Sequence, residues 1–170
     1  MGLTLASDGN LYGAFNALEQ TPLFPATTAG AFTTLATLGS LEFAFGLVLG
    51  ANGNLYGTLE HLPGNSSIIF EVELDGSHLQ VFGALPSEFV VAVPIVAGGG
   101  NLWSTYTQQN ESGIVELSPE NGSILQTIPI TGKALSAPRN LVQAANGLFW
   151  GDACCGDVLK ESLLAVQYLA

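Results

Sequence analysis

One short pattern occurs four times along this chain of 170 residues, and it constrains the fold more than any other feature. In each copy an apolar run leads into a turn rich in Asn, Asp and Gly, and an apolar–aromatic pair follows the turn. The aromatic residues of the four copies are Tyr12, Tyr56, Trp103 and Trp150. Their nearly constant spacing indicates tandem copies of one structural unit.

Each unit is predicted to contain four short strands, and unit two shows their order most clearly. A first strand precedes Asn52-Gly53, a tight-turn signal because both positions tolerate positive φ. The second strand begins at Leu55-Tyr56 and carries the aromatic residue. In residues 68–74 apolar side chains alternate with Glu, which is typical of a half-exposed third strand. Asp75-Gly76 then turns the chain into a fourth strand at residues 79–82.

The outer units follow the same order with local differences. In unit one, Pro22 and Pro25 fall in the third strand, where proline suits an edge or a bulge better than a central position. The fourth strand of that unit is predicted at residues 31–35. In unit four, residues 162–169 form either a last strand or a short helix, because so short a segment shows no decisive periodicity.

Four-stranded units that recur at intervals of about 40 to 50 residues are the signature of β-propeller blades. We therefore predict a single all-β domain of four blades of about 45 residues each, the last one incomplete. The predicted blades are residues 1–40, 41–86, 87–133 and 134–170. The 21 glycines of the chain agree with many strands joined by tight turns.

The charge balance excludes two classes of partner. Charged residues make up only 10% of the chain, the net charge is −11, and the basic residues are Lys133, Arg139 and Lys160. Nucleic acid binding depends on Lys and Arg that neutralise phosphates, and anionic membranes likewise attract basic segments. We therefore expect neither a nucleic acid nor a membrane as partner.

Two units resemble known repeats. Residues 54–58 with 69–72 and Asp75-Gly76 resemble the Gloeobacter/Verrucomicrobia-type tandem repeat of extracellular proteins. Residues 100–103 with 113–119 are similar to blades of the NHL, gluconolactonase and virginiamycin-B-lyase propellers. These motifs are turns and anchors, so the resemblance implies a fold and no particular activity.

The number of units departs from that of the propellers this chain resembles. Such propellers usually have about six or seven blades. We interpret the chain as part of a longer propeller, because unpaired blade edges invite association. Closure as a small propeller and combination of several chains are the alternatives.

The resemblance to gluconolactonases implies a divalent cation such as Ca²⁺ held over a central channel. The regions that enter the innermost strands offer Glu42, Glu88, Arg139 and Asn140. Glu42, Glu88 and Asn140 carry the oxygen ligands that hard cations prefer, and form the predicted metal set. They do not occupy equivalent positions in the repeat, however, so solvated loop residues and the absence of any cofactor are the favoured interpretation.

The histidines and cysteines suggest little chemistry. His61 follows Glu60, and a His beside a carboxylate suits a general base, but no local motif supports that role. His78 is predicted at the surface beside a hairpin turn. The adjacent Cys154 and Cys155 have Cα atoms only ~3.8 Å apart, below the usual disulfide range of ~4.4 to 6.8 Å. Reduced, buried thiols are therefore favoured, and a strained vicinal disulfide is the alternative.

Three acceptor patterns for N-glycosylation suggest a secreted protein. They begin at Asn65, Asn110 and Asn121, all in predicted loops or turns. The sequence shows no signal peptide at Met1, which fits either a cytosolic protein or a chain whose start is missing, and the repeat favours the missing start.

Three functions remain open. The leading hypothesis is a secreted, non-catalytic module that binds a small molecule, a glycan or a protein on a blade face or at the channel mouth. The alternative is a metal-dependent enzyme of the lactonase or lyase sort, and the third is a truncated product without independent function. The sequence contains no nucleophile elbow, phosphate-binding loop or zinc-binding His pair, and we therefore predict no catalytic residue.

Overall fold

The computed structural model of the chain describes a protein made of strands and turns. The described residues contain no helix, and hence none that is long and apolar enough to span a bilayer. The all-β prediction is confirmed. The described residues are 2–15, 20–27, 29–39, 42–61, 66–87, 89–92, 94–96, 99–109, 111–130, 136–146, 148–154 and 162–167.

The strands form four antiparallel sheets whose neighbouring strands follow chain order, except that the two short first strands of sheet three both pair with the strand after them. Sheet one contains β1 (Thr4–Leu5), β2 (Leu11–Ala14), β3 (Thr21–Ala26) and β4 (Ala36–Leu38). Sheet two contains β5 (Glu42–Leu49), β6 (Leu55–His61), β7 (Ser66–Val72) and β8 (Gln80–Ala84). Sheet three contains β9 (Val90–Val91), β10 (Ile95–Val96), β11 (Leu102–Gln108), β12 (Glu111–Leu117) and β13 (Ile124–Pro129). Sheet four contains β14 (Ser136–Gln143), β15 (Leu148–Cys154) and β16 (Ser162–Gln167).

The hairpin between the first two strands of a unit differs in one detail from the prediction. In sheet two the Gly53 N–H donates to the Gly50 carbonyl at 3.1 Å, and the Gly50 N–H donates to the Asn54 carbonyl at 2.8 Å. Gly53 has φ 87°, whereas Asn52 is not among the described residues with positive φ. The loop is thus a three-residue turn that needs only one left-handed residue, and not a two-residue turn with two.

The repeated aromatic residue of each of the first three units packs against the next sheet. Tyr12 of sheet one shares a buried cluster with residues of sheet two, and Tyr56 of sheet two shares one with residues of sheet three. The ring centroid of Trp103 lies 4.7 Å from that of Phe149 in sheet four. The anchors therefore hold consecutive sheets together.

Buried hydroxyl groups join sheets two and three where the first strand of sheet three is interrupted. Its two parts are β9 and β10, which both pair with β11. The carbonyl of Ala92 in this gap accepts hydrogen bonds from the Thr58 and Ser104 hydroxyls at 2.9 and 3.0 Å. The hydroxyl of Ser67 in β7 accepts the Val91 N–H at 2.9 Å. Since buried polar groups need partners, these hydroxyls satisfy backbone groups at and beside the interruption.

The structure tests three local predictions: the place of the two prolines, the fourth strand of unit one, and the form of residues 162–169. Strand β3 is central, with β2 and β4 on its sides, so the preference of Pro22 and Pro25 for an edge is overridden. Pro25 faces a bulged stretch, because ladder pairing to β4 stops at Leu23–Ala36 and resumes only as an Ala26–Phe32 bridge. The fourth strand of unit one accordingly lies at 36–38 rather than 31–35. The ambiguous tail forms the strand β16.

We expect Ser67→Ala to destabilise the fold by about 1 to 3 kcal/mol, because it leaves the buried Val91 N–H without its acceptor. Urea unfolding followed by circular dichroism measures the change. Ser87→Ala, at an exposed serine, is the matched control and should stay within about 0.5 kcal/mol of the original chain. Equal effects of the two substitutions would contradict the structural role of Ser67.

Candidate ligand-binding cleft

A cleft of about 560 Å³ lies between sheets two and three. It opens at the end of the sheets that carries the tight turns, between the β5–β6 and β10–β11 connections and the turn that follows β12. Two copies of the repeated turn therefore form part of its walls. The lining residues are Ala51, Asn52, Tyr56, Glu71, Gly99, Gly100, Asn101, Ser118, Pro119 and Glu120.

Glu71 is the centre of a hydrogen-bond network in this cleft. Strand pairing places it directly opposite Tyr56. Its Oε1 accepts hydrogen bonds from the Tyr56 hydroxyl at 2.8 Å, the Asn54 amide at 2.7 Å and the Asn52 amide at 3.0 Å. The Asn52 Nδ2 also donates to the Tyr56 hydroxyl at 2.9 Å. The four polar side chains therefore hold one another in place before any ligand arrives.

The network reinforces the protonation states that Glu71 and Tyr56 ordinarily have at neutral pH. Burial by itself would raise the pKa of Glu71, but the hydrogen bonds from Asn54, Tyr56 and Asn52 outweigh it and hold the pKa below its usual 4.5. Burial, together with the adjacent Glu71 carboxylate, raises the pKa of Tyr56 to about 12. At neutral pH Glu71 is consequently an anion and Tyr56 a neutral donor.

Units one and three contain similar hydrogen bonds between a carboxylate and an Asn near the anchor, made by different residues. In sheet three the Asn101 amide donates to Glu116 at 2.8 Å, and Glu116 faces Trp103 across the strands. In sheet one Pro25 stands opposite the anchor, and the carboxylate comes instead from Asp8 in the turn. There Asp8 accepts both the Tyr12 hydroxyl and the Asn10 amide at 2.8 Å.

The sequence analysis missed these hydrogen-bonded carboxylates, although the sequence carries a signal for them. In units two and three an Asn precedes the anchor pair, and a Glu follows in the third strand at the position opposite the anchor. The relation between the Asn, the anchor and the Glu can be recognised only when the strand register is known. Before that, Glu71 and Glu116 look like the solvent-facing residues of alternating strands.

The lining of the cleft is rich in acceptors and poor in basic groups. It contains the carboxylates of Glu71 and Glu120, amide groups and backbone carbonyls, and it contains no Lys, Arg or His. Anions are therefore disfavoured in this cleft. Ligands that offer many hydrogen-bond donors, or a positive charge, complement it.

Comparison with solved structures identifies the architecture. A virginiamycin B lyase from Staphylococcus aureus, an inactive variant with quinupristin, superimposes with a TM-score of 0.68 at 20% identity, over 100% of this chain and 56% of that one. A gluconolactonase from Xanthomonas campestris gives a TM-score of 0.68 at 18% identity, over 99% of this chain and 58% of that one. The four sheets are β-propeller blades. We number these blades one to four, in the order of the sheets.

The likeness to solved structures extends to proteins of different kinds and therefore shows the fold alone. A chain of a nidogen/laminin complex also superimposes, with a TM-score of 0.66 at 20% identity, over 90% of this chain and 56% of that one. The chain thus spans a little over half the length of each of these structures, as a segment of a propeller would. No family model and no curated protein matches the chain, so the resemblance to the Gloeobacter/Verrucomicrobia-type repeat is without support.

The predicted metal set is only partly described. The backbone places Glu42 at the start of the inner strand β5 and Asn140 at a bulge in the inner strand β14, and Glu88 lies outside the described residues. The described part of the chain contains no group of three His, Cys, Asp or Glu residues that could hold a metal ion. A cavity of about 140 Å³ beside the inner strands, between Phe45 and Tyr106, contains no carboxylate in its lining.

The remaining candidates are scattered over the blades. His78 is exposed, with φ 49° and its Nδ1 3.1 Å from Glu73 Oε1, which confirms its surface position. His61 and Cys154 are described only as backbone positions at the ends of β6 and β15, and Cys155 lies outside the described residues. The described lining of the cleft does not include His78.

The glycosylation candidates have different surroundings. Asn121 is exposed in the turn between β12 and β13, where its Oδ1 accepts the Ser123 N–H at 3.0 Å. Asn65 and Asn110 lie outside the described residues. Ser67, the hydroxyl residue of the Asn65 pattern, is buried between blades two and three, where its hydroxyl accepts the Val91 N–H.

We expect Glu71→Gln to lower stability at neutral pH by about 1 kcal/mol, since charge-assisted hydrogen bonds weaken and partial exposure limits their strength. The folded-state pKa of Glu71 lies below its unfolded value near 4.5. The stability advantage of the original chain over Glu71→Gln is therefore complete at pH values above that unfolded pKa. It is lost as the pH falls through the pKa of Glu71 in the folded state.

Urea unfolding of both proteins between about pH 7 and pH 3 measures this difference. Glu120→Gln, which alters an exposed carboxylate of the same cleft, is the control and should show no such loss. A stability difference for Glu71→Gln that stays constant with pH would contradict the network.

Proposed function

We propose that this chain is part of a secreted β-propeller that binds a hydroxyl-rich ligand, a saccharide, without catalysis. The observation that carries the proposal is the cleft between blades two and three, whose polar groups are oriented before any ligand enters. Secretion is supported by the exposed Asn121 acceptor and by the scarcity of basic residues.

The chemistry of the cleft favours a ligand that donates hydrogen bonds. Glu71 Oε1 already accepts three donors, which fixes the orientation of the carboxylate toward the cleft. The exposed Glu120 and the amide of Asn101 stand on the opposite blade. Sugar hydroxyls offer donors at several adjacent positions and also accept from amides, so a saccharide engages both blades without requiring a cation.

Ordered polar groups lower the cost of binding. A side chain that is immobilised only when a ligand binds loses about 0.5 to 1.5 kcal/mol of conformational freedom. Asn52, Asn54, Tyr56 and Glu71 are already held by mutual hydrogen bonds, so they lose little on binding.

Titration calorimetry with neutral oligosaccharides, cellotriose and maltotriose, tests the proposal. We expect Asn52→Ala to weaken binding about tenfold, which corresponds to the loss of about 1.4 kcal/mol. The control is Asn146→Ala, because Asn146 makes the same turn contact in blade four, to the Leu148 N–H at 3.2 Å, but does not line the cleft.

Spermidine, titrated in parallel, separates a saccharide site from a cation site. Binding of spermidine that weakens with salt, with none of either saccharide, would overturn the saccharide assignment and favour a cationic ligand. Saccharide binding that is equally weakened by Asn52→Ala and Asn146→Ala would place the site elsewhere on the chain.

The second candidate function is a metal-dependent lactonase or lyase. It is favoured by the likeness to a virginiamycin B lyase and a gluconolactonase, and by the positions of Glu42 and Asn140 on inner strands of blades two and four. In this function Glu42, Glu88 and Asn140 supply oxygen ligands to a cation such as Ca²⁺ at the channel mouth.

Thermal unfolding with and without Ca²⁺ distinguishes this candidate from the first. A ligand at 100 times its Kd stabilises a protein by about 2.7 kcal/mol, so even moderate Ca²⁺ binding raises Tm measurably. We expect no rise. A rise that Glu42→Ala or Glu88→Ala abolishes, while Glu120→Ala preserves it, would favour the enzyme.

A further inference from the structure

A half-buried carboxylate in the cleft has no cation beside it. Burial acts to raise the pKa of Glu71, but hydrogen bonds from Asn54, Tyr56 and Asn52 hold the pKa below the ordinary 4.5, so the group is an anion. The described lining of the cleft supplies no Lys, Arg or His to balance this charge. A carboxylate that is partly removed from water gains from a cationic partner. The cleft therefore favours a ligand that brings positive charge to Glu71.

One oxygen atom of this carboxylate is open. The hydrogen bonds from Asn52, Asn54 and Tyr56 all fall on Oε1 of Glu71. Among the described residues, no donor is found for Oε2. An ionised carboxylate accepts hydrogen bonds at both oxygens. Oε2 therefore keeps its capacity to accept a donor from a ligand.

The corresponding carboxylate of blade three shows that this opening is particular to blade two. Glu116 takes the place of Glu71, since each stands opposite the anchor of its blade. A glutamine of the last strand faces the Glu in both blades, Gln126 in blade three and Gln80 in blade two. Glu116 is satisfied at both oxygens, by Gln126 Nε2 at 2.6 Å and Asn101 Nδ2 at 2.8 Å. Among the described contacts, the exposed Gln80 forms no such bond, so blade two leaves open an acceptor that blade three closes.

The wall of the cleft formed by blade three adds further acceptors and one donor. The Nδ2 of Asn101 is used by Glu116, which leaves its Oδ1 as an acceptor. The carboxylate of Glu120 is exposed on the same wall. The buried Ser118 hydroxyl accepts the Glu120 N–H at 3.2 Å and keeps its own hydrogen for a ligand oxygen. A ligand that suits both walls carries a charged donor, further donors and an acceptor.

We infer that the ligand of the cleft is an amino sugar, whose protonated amine binds Oε2 of Glu71 and whose hydroxyl groups meet Asn101 and Ser118; the inference rests on the proposed saccharide site. A protonated amine supplies three donors and the missing charge, and sugar hydroxyls both donate and accept. A polyamine lacks the acceptor for Ser118, and a neutral sugar leaves Glu71 without a cation. A calcium ion needs about six oxygen ligands, and the described residues contain no group of three acidic or His side chains to provide them.

Three trisaccharides with one β-1,4-linked glucose backbone test the inference by titration calorimetry. The glucosamine trimer carries amines, chitotriose carries N-acetyl groups in their place, and cellotriose carries hydroxyl groups. At about pH 6 the amines are protonated, since they titrate near the range of an α-amino group, and Glu71 is ionised. We expect the glucosamine trimer to bind about tenfold more tightly than the other two, because a charge-assisted hydrogen bond replaces a neutral one. Added salt should narrow this difference.

Charge-removing variants locate the amine. We expect Glu71→Gln to bring the ratio of the affinities for the glucosamine trimer and cellotriose to about one. A ratio is used because a general loosening of the cleft weakens both sugars and cancels. The matched control is Asp75→Asn, which removes the same charge from an exposed turn of blade two outside the cleft and keeps the acceptor for the Ser77 N–H at 2.8 Å. This variant should keep the original ratio.

The outcomes separate this inference from the saccharide site on which it rests. Equal affinities for the glucosamine trimer and cellotriose, both weakened by Asn52→Ala, would overturn the amino sugar and leave the saccharide site in place. Binding of none of the three sugars would contradict the saccharide site itself. Equal losses of the ratio in Asp75→Asn and Glu71→Gln would indicate a diffuse effect of the net charge of −11 and overturn the contact with Glu71. Spermidine that binds as tightly as the glucosamine trimer would show that charge alone suffices, which also overturns the inference.

Discussion

The structure depends on the burial of one aromatic side chain per blade against the next blade. A single blade cannot bury its own apolar faces, so it depends on neighbouring blades to cover them. The anchors Tyr12, Tyr56 and Trp103 place their rings in the cores between consecutive blades, and are almost completely buried there. Trp150 of blade four is only half-buried. The repeat therefore encodes an interface as well as a sheet.

The same anchors link the core to the polar cleft. A buried tyrosine needs a partner for its hydroxyl group, and in blade two that partner is Glu71. The carboxylate in turn orders Asn52 and Asn54 of the adjacent turn. A structural requirement of the repeat thereby produces an ordered, acceptor-rich surface where two turns meet, and that surface is the cleft to which we assign the ligand.

The turns show how far local sequence determines local structure. Asn52-Gly53 predicts a tight turn at the right place, yet the loop has three residues and only Gly53 is left-handed. Asn52 acts through its side chain, whose Oδ1 accepts the Asn54 N–H. The dipeptide alone does not distinguish these turns, because both use Asn and Gly; the strand register decides between them.

The sequence by itself determined the all-β class, the repeat and its aromatic anchors, because these depend on period and on turn chemistry within one unit. Only the tertiary structure decided which residues form a site. Glu71 comes close to Asn52 through strand pairing, and the cleft exists only where blade two meets blade three. Distances between residues far apart in the chain depend on strand register and on blade stacking. Neither can be predicted from the sequence of a single repeat.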